Sequence, residues 1–187
     1  MTADRAQATF PLAASSRQGG PTSLEVEVTQ MFDELRAPLL RYLGSFGLAV
    51  QDGEEVVQEV FLALFLHLRD GKPRTNLQAW IFRVGHNLGL KRCLTNRKTA
   101  VSPIEDAAPL DESSDPEQQA ANRQRQQRLL AVVQALPEQD RRCLLLRAEG
   151  LRYRDITEVL GMSLGAVAQS LARSLEKLNR ADFGELA

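Results

Sequence analysis

The chain has 187 residues, 43% of them hydrophobic, a formal net charge of −1 and two cysteines. That length suits one domain or two small ones with packed cores, and the near-neutral charge excludes a nucleic-acid binder that works by bulk positive charge alone. No apolar run reaches the roughly 18–20 residues that span a bilayer, Pro11 and charges interrupt any leader-like stretch in residues 1–22, and Cys93 and Cys143 lack CxxC or His-pair spacing, so membrane insertion and a metal site are not expected.

Residues 1–22, rich in Ala, Ser, Gln and Gly, read as a disordered tail of a cytoplasmic protein. Ser23 is placed to cap a first helix whose apolar face runs through Val28, Met31, Phe32, Leu35, Leu39, Leu40 and Leu43. Pro38 is expected to kink or restart it, and Gly44 and Gly47 to end it. A second helix opens at Asp52, with Val56, Val57, Val60, Phe61, Leu64 and Leu68 inward and an acidic margin of Asp52, Glu55 and Glu59, beside Gln58, outward. The turn-rich basic loop 69–75 follows, and Thr75 or Asn76 can cap a third helix over 76–98. On it Leu77, Trp80, Ile81, Val84 and Leu88 form an apolar stripe, with Trp80 read as core, while Arg83, His86, Asn87 and Arg97 share the opposite side.

Residues 100–116 contain Pro103, Pro109 and Pro116 among acids and small residues, the composition of a linker. Helical periodicity resumes at Glu117, with Leu129, Leu130, Val132, Val133 and Leu136 in one helix stopped by Pro137, and Cys143, Leu144, Leu145 and Leu146 inside the next, ended by Gly150. A short helix over 152–160 closes at Gly161, and Ser163 caps a last helix whose inner stripe is Val167, Leu171, Leu175 and Leu178. This short helix, glycine turn and capped second helix have the grammar of a helix-turn-helix.

The expected fold is therefore all-α: two small helical domains, 23–99 and 117–187, joined by an acidic, Pro-containing linker at 100–116, the second containing the helix-turn-helix. Charge follows this division: ten basic against seven acidic residues in 29–98, six acids against Arg123 and Arg125 in 99–127, and nine basic against eight acidic in 128–187. Two mildly basic blocks flank an acidic strip. His67 and His86 are the only histidines, and no Cys–His, Ser–His or clustered-carboxylate spacing points to catalysis, a metal or a cofactor.

Several stretches together resemble the sigma-70 family, in its extracytoplasmic-function (ECF) type with only regions 2 and 4. Glu54-Glu55-Val56-Val57-Gln58-Glu59-Val60-Phe61 is similar to that family's E-D-L-V-Q-E-V-F signature, and Ala79-Trp80-Ile81-Phe82-Arg83-Val84-Gly85-His86-Asn87 to its A-W-L-x-x-I-A-R-N segment. Leu136-Pro137-Glu138, Leu144-Leu145-Leu146-Arg147, Glu149-Gly150-Leu151-Arg152-Tyr153 and Asp155-Ile156 resemble the opening of region 4.

The resemblance implies a bacterial transcription initiation factor, not an enzyme, that binds core RNA polymerase and directs it to promoter DNA. It implies core docking by Asp52, Glu55, Gln58 and Glu59. It implies −10 recognition and melting by Arg74, Thr75, Asn76, Arg83, His86, Asn87, Lys91 and Arg97, with the loop residues receiving an unpaired base. It implies −35 contact by Ser163, Gly165, Ala166, Ala168, Gln169, Ser170 and Arg173, and makes an anti-sigma factor a candidate partner. The recognition helix departs from the family's S-x-G-T-V-K-S-R: the Lys and Arg positions are Ala168 and Ser170, and the Thr is Ala166, leaving Gln169 and Arg173 as its strong polar readers. Lys91 stands where the family usually has Asp, and His86 where it has Arg. A stand-alone helix-turn-helix regulator and a sigma-like interaction protein with reduced promoter reading are the alternatives.

Overall fold

A computed structural model describes residues 22–99 and 116–183, with side chains over 22–96 and 122–182. The expected tail and linker lie outside the described residues apart from Thr22 and Pro116 at their edges. The described residues form helices α1 (Ser23–Gly44), α2 (Val50–Arg69), α3 (Leu77–Thr99), α4 (Pro116–Gln134), α5 (Glu138–Ala148), α6 (Tyr153–Leu160) and α7 (Leu164–Phe183), with no strand among them. The all-α expectation holds.

Local chemistry accounts for most of the boundaries. Thr22, one residue before the expected cap, starts α1 with a reciprocal capping box: its hydroxyl accepts from Glu25 N–H, and the Glu25 carboxylate accepts from Thr22 N–H. Pro38 does not interrupt α1. A mid-helix proline costs about 3 kcal/mol, but Leu39, Tyr42 and Leu43 just beyond it are completely buried, and each such burial returns roughly 1.5–3 kcal/mol. Packing wins. Gly161, in the left-handed conformation at φ 65°, makes the turn between α6 and α7, and Ser163 Oγ accepts from Ala166 N–H to cap α7 as expected.

In the first unit, α1, α2 and α3 close around Leu39, Tyr42, Leu43, Val56, Val57, Val60, Leu64, Ile81 and Phe82. α1 approaches α3 where α3 carries Gly85 and Gly89: a Cβ on Gly85 would lie 2.8 Å from Leu39 Cδ1, and one on Gly89 2.7 Å from Leu43 Cδ2. This contact rotates α3 relative to the stripe expected from periodicity. Phe82 and His86 are buried, while Trp80, Val84 and Leu88 are only partly covered. Trp80 lies against the His67 ring, with centroids 4.7 Å apart.

His86 therefore leaves the expected basic face. It sits in the core with its Nδ1 2.8 Å from the Tyr42 hydroxyl, packed between Tyr42 and Phe46. Burial, reinforced by the Arg142 charge and opposed by Glu138, lowers its pKa from 6.5 to about 4, so it is neutral at physiological pH.

The second unit turns on Asp140 of α5, buried against α7. Its Oδ1 accepts from Ser170 Oγ at 2.6 Å and from Arg173 Nη2 at 2.7 Å, and its Oδ2 accepts from Arg173 Nε at 3.2 Å. The Arg173 hydrogen bonds, helped by Ser170 and opposed by desolvation, hold the Asp140 carboxyl below the usual carboxylate range. This network turns Ser170 and Ser174 inward and leaves Leu175, expected on the inner stripe, 50% exposed. α4 runs along α7, and Arg125 pairs with Asp182 between them.

Two outcomes test this packing. Gly85→Val should cost about 1–3 kcal/mol, because Leu39 must be displaced; an unchanged urea midpoint would contradict the close approach. Acidification should act through His86. Its folded pKa is depressed, so its contribution is complete above pH 6.5 and is lost as pH falls toward about 4, a loss on the order of 3 kcal/mol. His86→Gln should flatten the fall in thermal midpoint between pH 7 and pH 5, and an undiminished slope in that variant would assign the titration elsewhere.

Candidate nucleic-acid interface

Three surfaces carry the expected functional residues, and the fold treats each differently. On α2, Gln58 and Glu59 are exposed and Asp52 is half-buried. Arg92, reaching across from α3, donates to Glu55 at 2.6 Å and to Asp52 at 3.5 Å, and lies 3.7 Å from Glu59. Asn96 also donates to Asp52, at 2.7 Å. The acidic margin is thus partly neutralised from within, by a residue that sequence reasoning did not single out. It also missed Leu62 and Leu66, which are 61% and 37% exposed. Both follow Gln58 at four-residue steps, about 40° apart around a helix, and helical bookkeeping alone could have placed them on that outer ridge.

On α3, Arg83, Asn87 and Lys91 are exposed at four-residue spacing and form one continuous ridge. Arg83 and Lys91 make no ion pair among the described residues. His86 is absent from this ridge for the reason given above, and the Arg97 side chain lies outside the described residues.

The preceding loop is exposed at Arg74, Thr75 and Asn76. Arg74 pairs with Glu27 at 3.2 Å. Asn76 has φ 55°, a left-handed conformation that asparagine tolerates better than most residues. Its side-chain amide does not serve as a simple cap; it donates to Asp155 Oδ1 on α6 at 2.7 Å.

At the start of α7, Ser163, Gly165 and Gln169 are exposed, and Ala166 and Ala168 are half-buried. Ser170 is not a surface residue: it is 0% exposed and bonded to Asp140. Arg173 reaches the surface, but Asp140 occupies its guanidinium fork. Both are corrections to the expected reading face, and the cause is the same buried carboxylate. What the sequence missed here is an open groove of about 650 Å³ beside this face, lined by Arg152, Tyr153, Arg154, Asp155, Leu164 and Ala168. Its arginines come from the start of α6, so positive charge lies next to the recognition helix though not on its first turn. The run Arg152-Tyr153-Arg154, two residues after Gly150, was the available signal.

The chain resembles known proteins over most of this architecture. Residues 126–178 match the family described as sigma-70, region 4. The RNA polymerase sigma factor CnrH of Cupriavidus metallidurans is 31% identical over 144 residues, covering 72% of this chain and 75% of that protein. The ECF RNA polymerase sigma factor SigE of Mycolicibacterium smegmatis is 30% identical over 131 residues, covering 68% of this chain and 50% of the relative. Among solved structures, the sigma factor RpoE of Bartonella quintana, in complex with the anti-sigma factor NepR, shares the fold with a TM-score of 0.63 at 17% identity over 83% of this chain and 96% of that one. Sequence, helix order and fold agree, and the chain belongs to the ECF group of the sigma-70 family of RNA polymerase sigma factors.

Proposed function

We propose that this sigma factor docks on core RNA polymerase through the outer ridge of α2 and brings it to promoters. In this reading the unit over 23–99 engages the −10 element and the unit over 117–187 the −35 element. The ridge Arg83–Asn87–Lys91 carries the reading: two cations without ion pairs in the first unit stand clear on an otherwise packed helix, a disposition suited to DNA phosphates and base edges. Thr75 and Asn76, just before that helix, are the candidates for receiving an unpaired base, with Arg74 beside them.

The docking surface combines Glu55, Gln58 and Glu59 with exposed Leu62 and Leu66, a mixture of charge and apolar area suited to a basic helical partner. At the −35 element Gln169 and Ser163 would read, with Ala166 and Ala168 able to contact thymine methyls and Arg152 and Arg154 supplying the phosphate contacts that the recognition helix lacks. The chain contributes positioning and strand separation, and the polymerase does the chemistry in the cell interior. CnrH has been solved with the cytosolic domain of CnrY and RpoE with NepR, and an anti-sigma partner belongs to this proposal for the same surfaces.

Co-elution with sigma-free core polymerase is the first test: a stable complex is expected, and a folded protein that fails to bind would favour a stand-alone helix-turn-helix regulator. Glu55→Lys combined with Glu59→Lys should weaken that association about tenfold or more, as expected for charge reversal at a complementary interface; wild-type affinity in the folded double variant would remove the docking assignment. Arg83→Ala with Lys91→Ala should lower open-complex formation several-fold and reduce its salt dependence, with core affinity retained. Equal losses in both assays would place these residues elsewhere.

A further inference from the structure

The chain between α2 and α3 is exposed at every residue from 69 to 76, so no apolar burial fixes its path and hydrogen bonds must. Backbone bonds hold its first turn: Gly71, at φ 69°, donates to the Leu68 carbonyl at 3.1 Å, and Lys72 N–H donates to the His67 carbonyl at 3.2 Å. The next hold is a side chain. His67 Nε2 lies 3.0 Å from the Pro73 carbonyl oxygen, which can only accept, so Nε2 carries the proton and donates. The imidazole, half-buried at the end of α2, lies against Trp80 in the first turn of α3. Trp80 N–H in turn donates to the Asn76 carbonyl at 3.1 Å.

These bonds leave little freedom between them. The proline ring fixes its own φ near about −65°, and a bonded carbonyl fixes ψ, so both backbone torsions of Pro73 are set. Asn76 is held at its carbonyl by Trp80 and at its side-chain amide by Asp155. Arg74 and Thr75 span the two held carbonyls. The pair of Arg74 with Glu27 is largely exposed, and such pairs constrain a loop weakly.

We infer that His67 is a positioning residue for this loop: it acts through the Pro73 carbonyl to keep Thr75 and Asn76 in the shape that receives an unpaired base, and it contacts no DNA itself. Trp80 aims the imidazole. The inference rests on the −10 reading above and adds to it a residue outside both the loop and the ridge. Its effect falls at strand opening. An exposed loop without this bond loses conformational freedom when a base enters it, whereas a loop already held has lost that freedom on folding. Binding of the closed duplex, through Arg83 and Lys91, does not draw on the loop's shape.

Substitutions separate the donor from the ring. His67→Phe keeps a ring against Trp80 and removes the donor, His67→Ala removes both, and His67→Gln replaces the ring with an amide N–H of similar reach. The probe is holoenzyme assembled from the full-length chain and core polymerase, on a duplex fragment that the wild-type holoenzyme selects from a random-sequence library. Permanganate reactivity of unpaired thymines reports opening. His67→Phe and His67→Ala should open the fragment roughly two- to tenfold more slowly, the weight of one hydrogen bond, with core affinity and closed-duplex affinity unchanged. Hydrogen exchange at the Arg74 and Thr75 amides should quicken in both. His67→Gln should open the fragment within about twofold of wild type. Folded donor-less variants that open DNA at the wild-type rate would overturn the inference, as would equal losses in closed-duplex binding and opening. A His67→Gln variant as slow as His67→Phe would also overturn it, by assigning the effect to ring packing. A wild-type chain that never binds core polymerase would overturn the proposed function itself, and the inference with it.

Discussion

The close approach of α1 to α3 governs the geometry of the first unit. Leu39 and Leu43 lie where side chains on Gly85 and Gly89 would be, so the helices meet nearly backbone to side chain, and dense packing allows α3 little freedom to rotate. That fixed rotation sends Phe82 and His86 inward and leaves Arg83, Asn87 and Lys91 outward. The Arg83–Asn87–Lys91 ridge is the solvent side of a packing solution. A helix held this firmly from behind can present cations at constant spacing, which recognition of a regular phosphate backbone requires.

Several polar residues that the motif pattern assigns to partners are used inside the protein. Asp140 takes both Ser170 and the Arg173 fork, and removing either donor would leave a buried carboxylate short of partners, a cost greater than the net worth of one hydrogen bond. Arg92 gathers Asp52, Glu55 and Glu59, so α2 and α3 are tied by one guanidinium. These charges are partly exposed, and such pairs contribute little stability. Their consequence is orientation: a partner that engages the α2 carboxylates must compete with Arg92.

In the second unit basic character lies on α6 and not on the first turn of α7. The first turn of α7 lacks a cation, while Arg152 and Arg154 border the groove that ends at Leu164 and Ala168. Binding that depends on such flanking charge positions the unit on DNA more than it selects sequence. The same end of α6 carries Asp155, bound to Asn76, so the groove arginines and the contact between the two units lie on adjoining residues.

Local chemistry in the sequence determined the helices, their order, the turn at Gly161, the Ser163 cap and the motifs that mark the family, because capping, glycine conformation and apolar periodicity act within a few residues. It also placed Arg83, Asn87, Gln58 and Gln169 on the surface. Periodicity, however, specifies an angle around one helix axis and not how many neighbours surround that helix. α3 meets α1, α2 and α6, so its buried arc is wider than one stripe and takes in His86. Pro38 stayed inside a continuous helix because the burial beyond it outweighs the lost hydrogen bond. Ser170 and Arg173 turned toward Asp140, Arg92 reached the α2 acids and Asn76 met Asp155 across separations of 30 to 79 residues. Only the tertiary structure could decide those pairings, since nothing in the local spacing of either partner specifies the other.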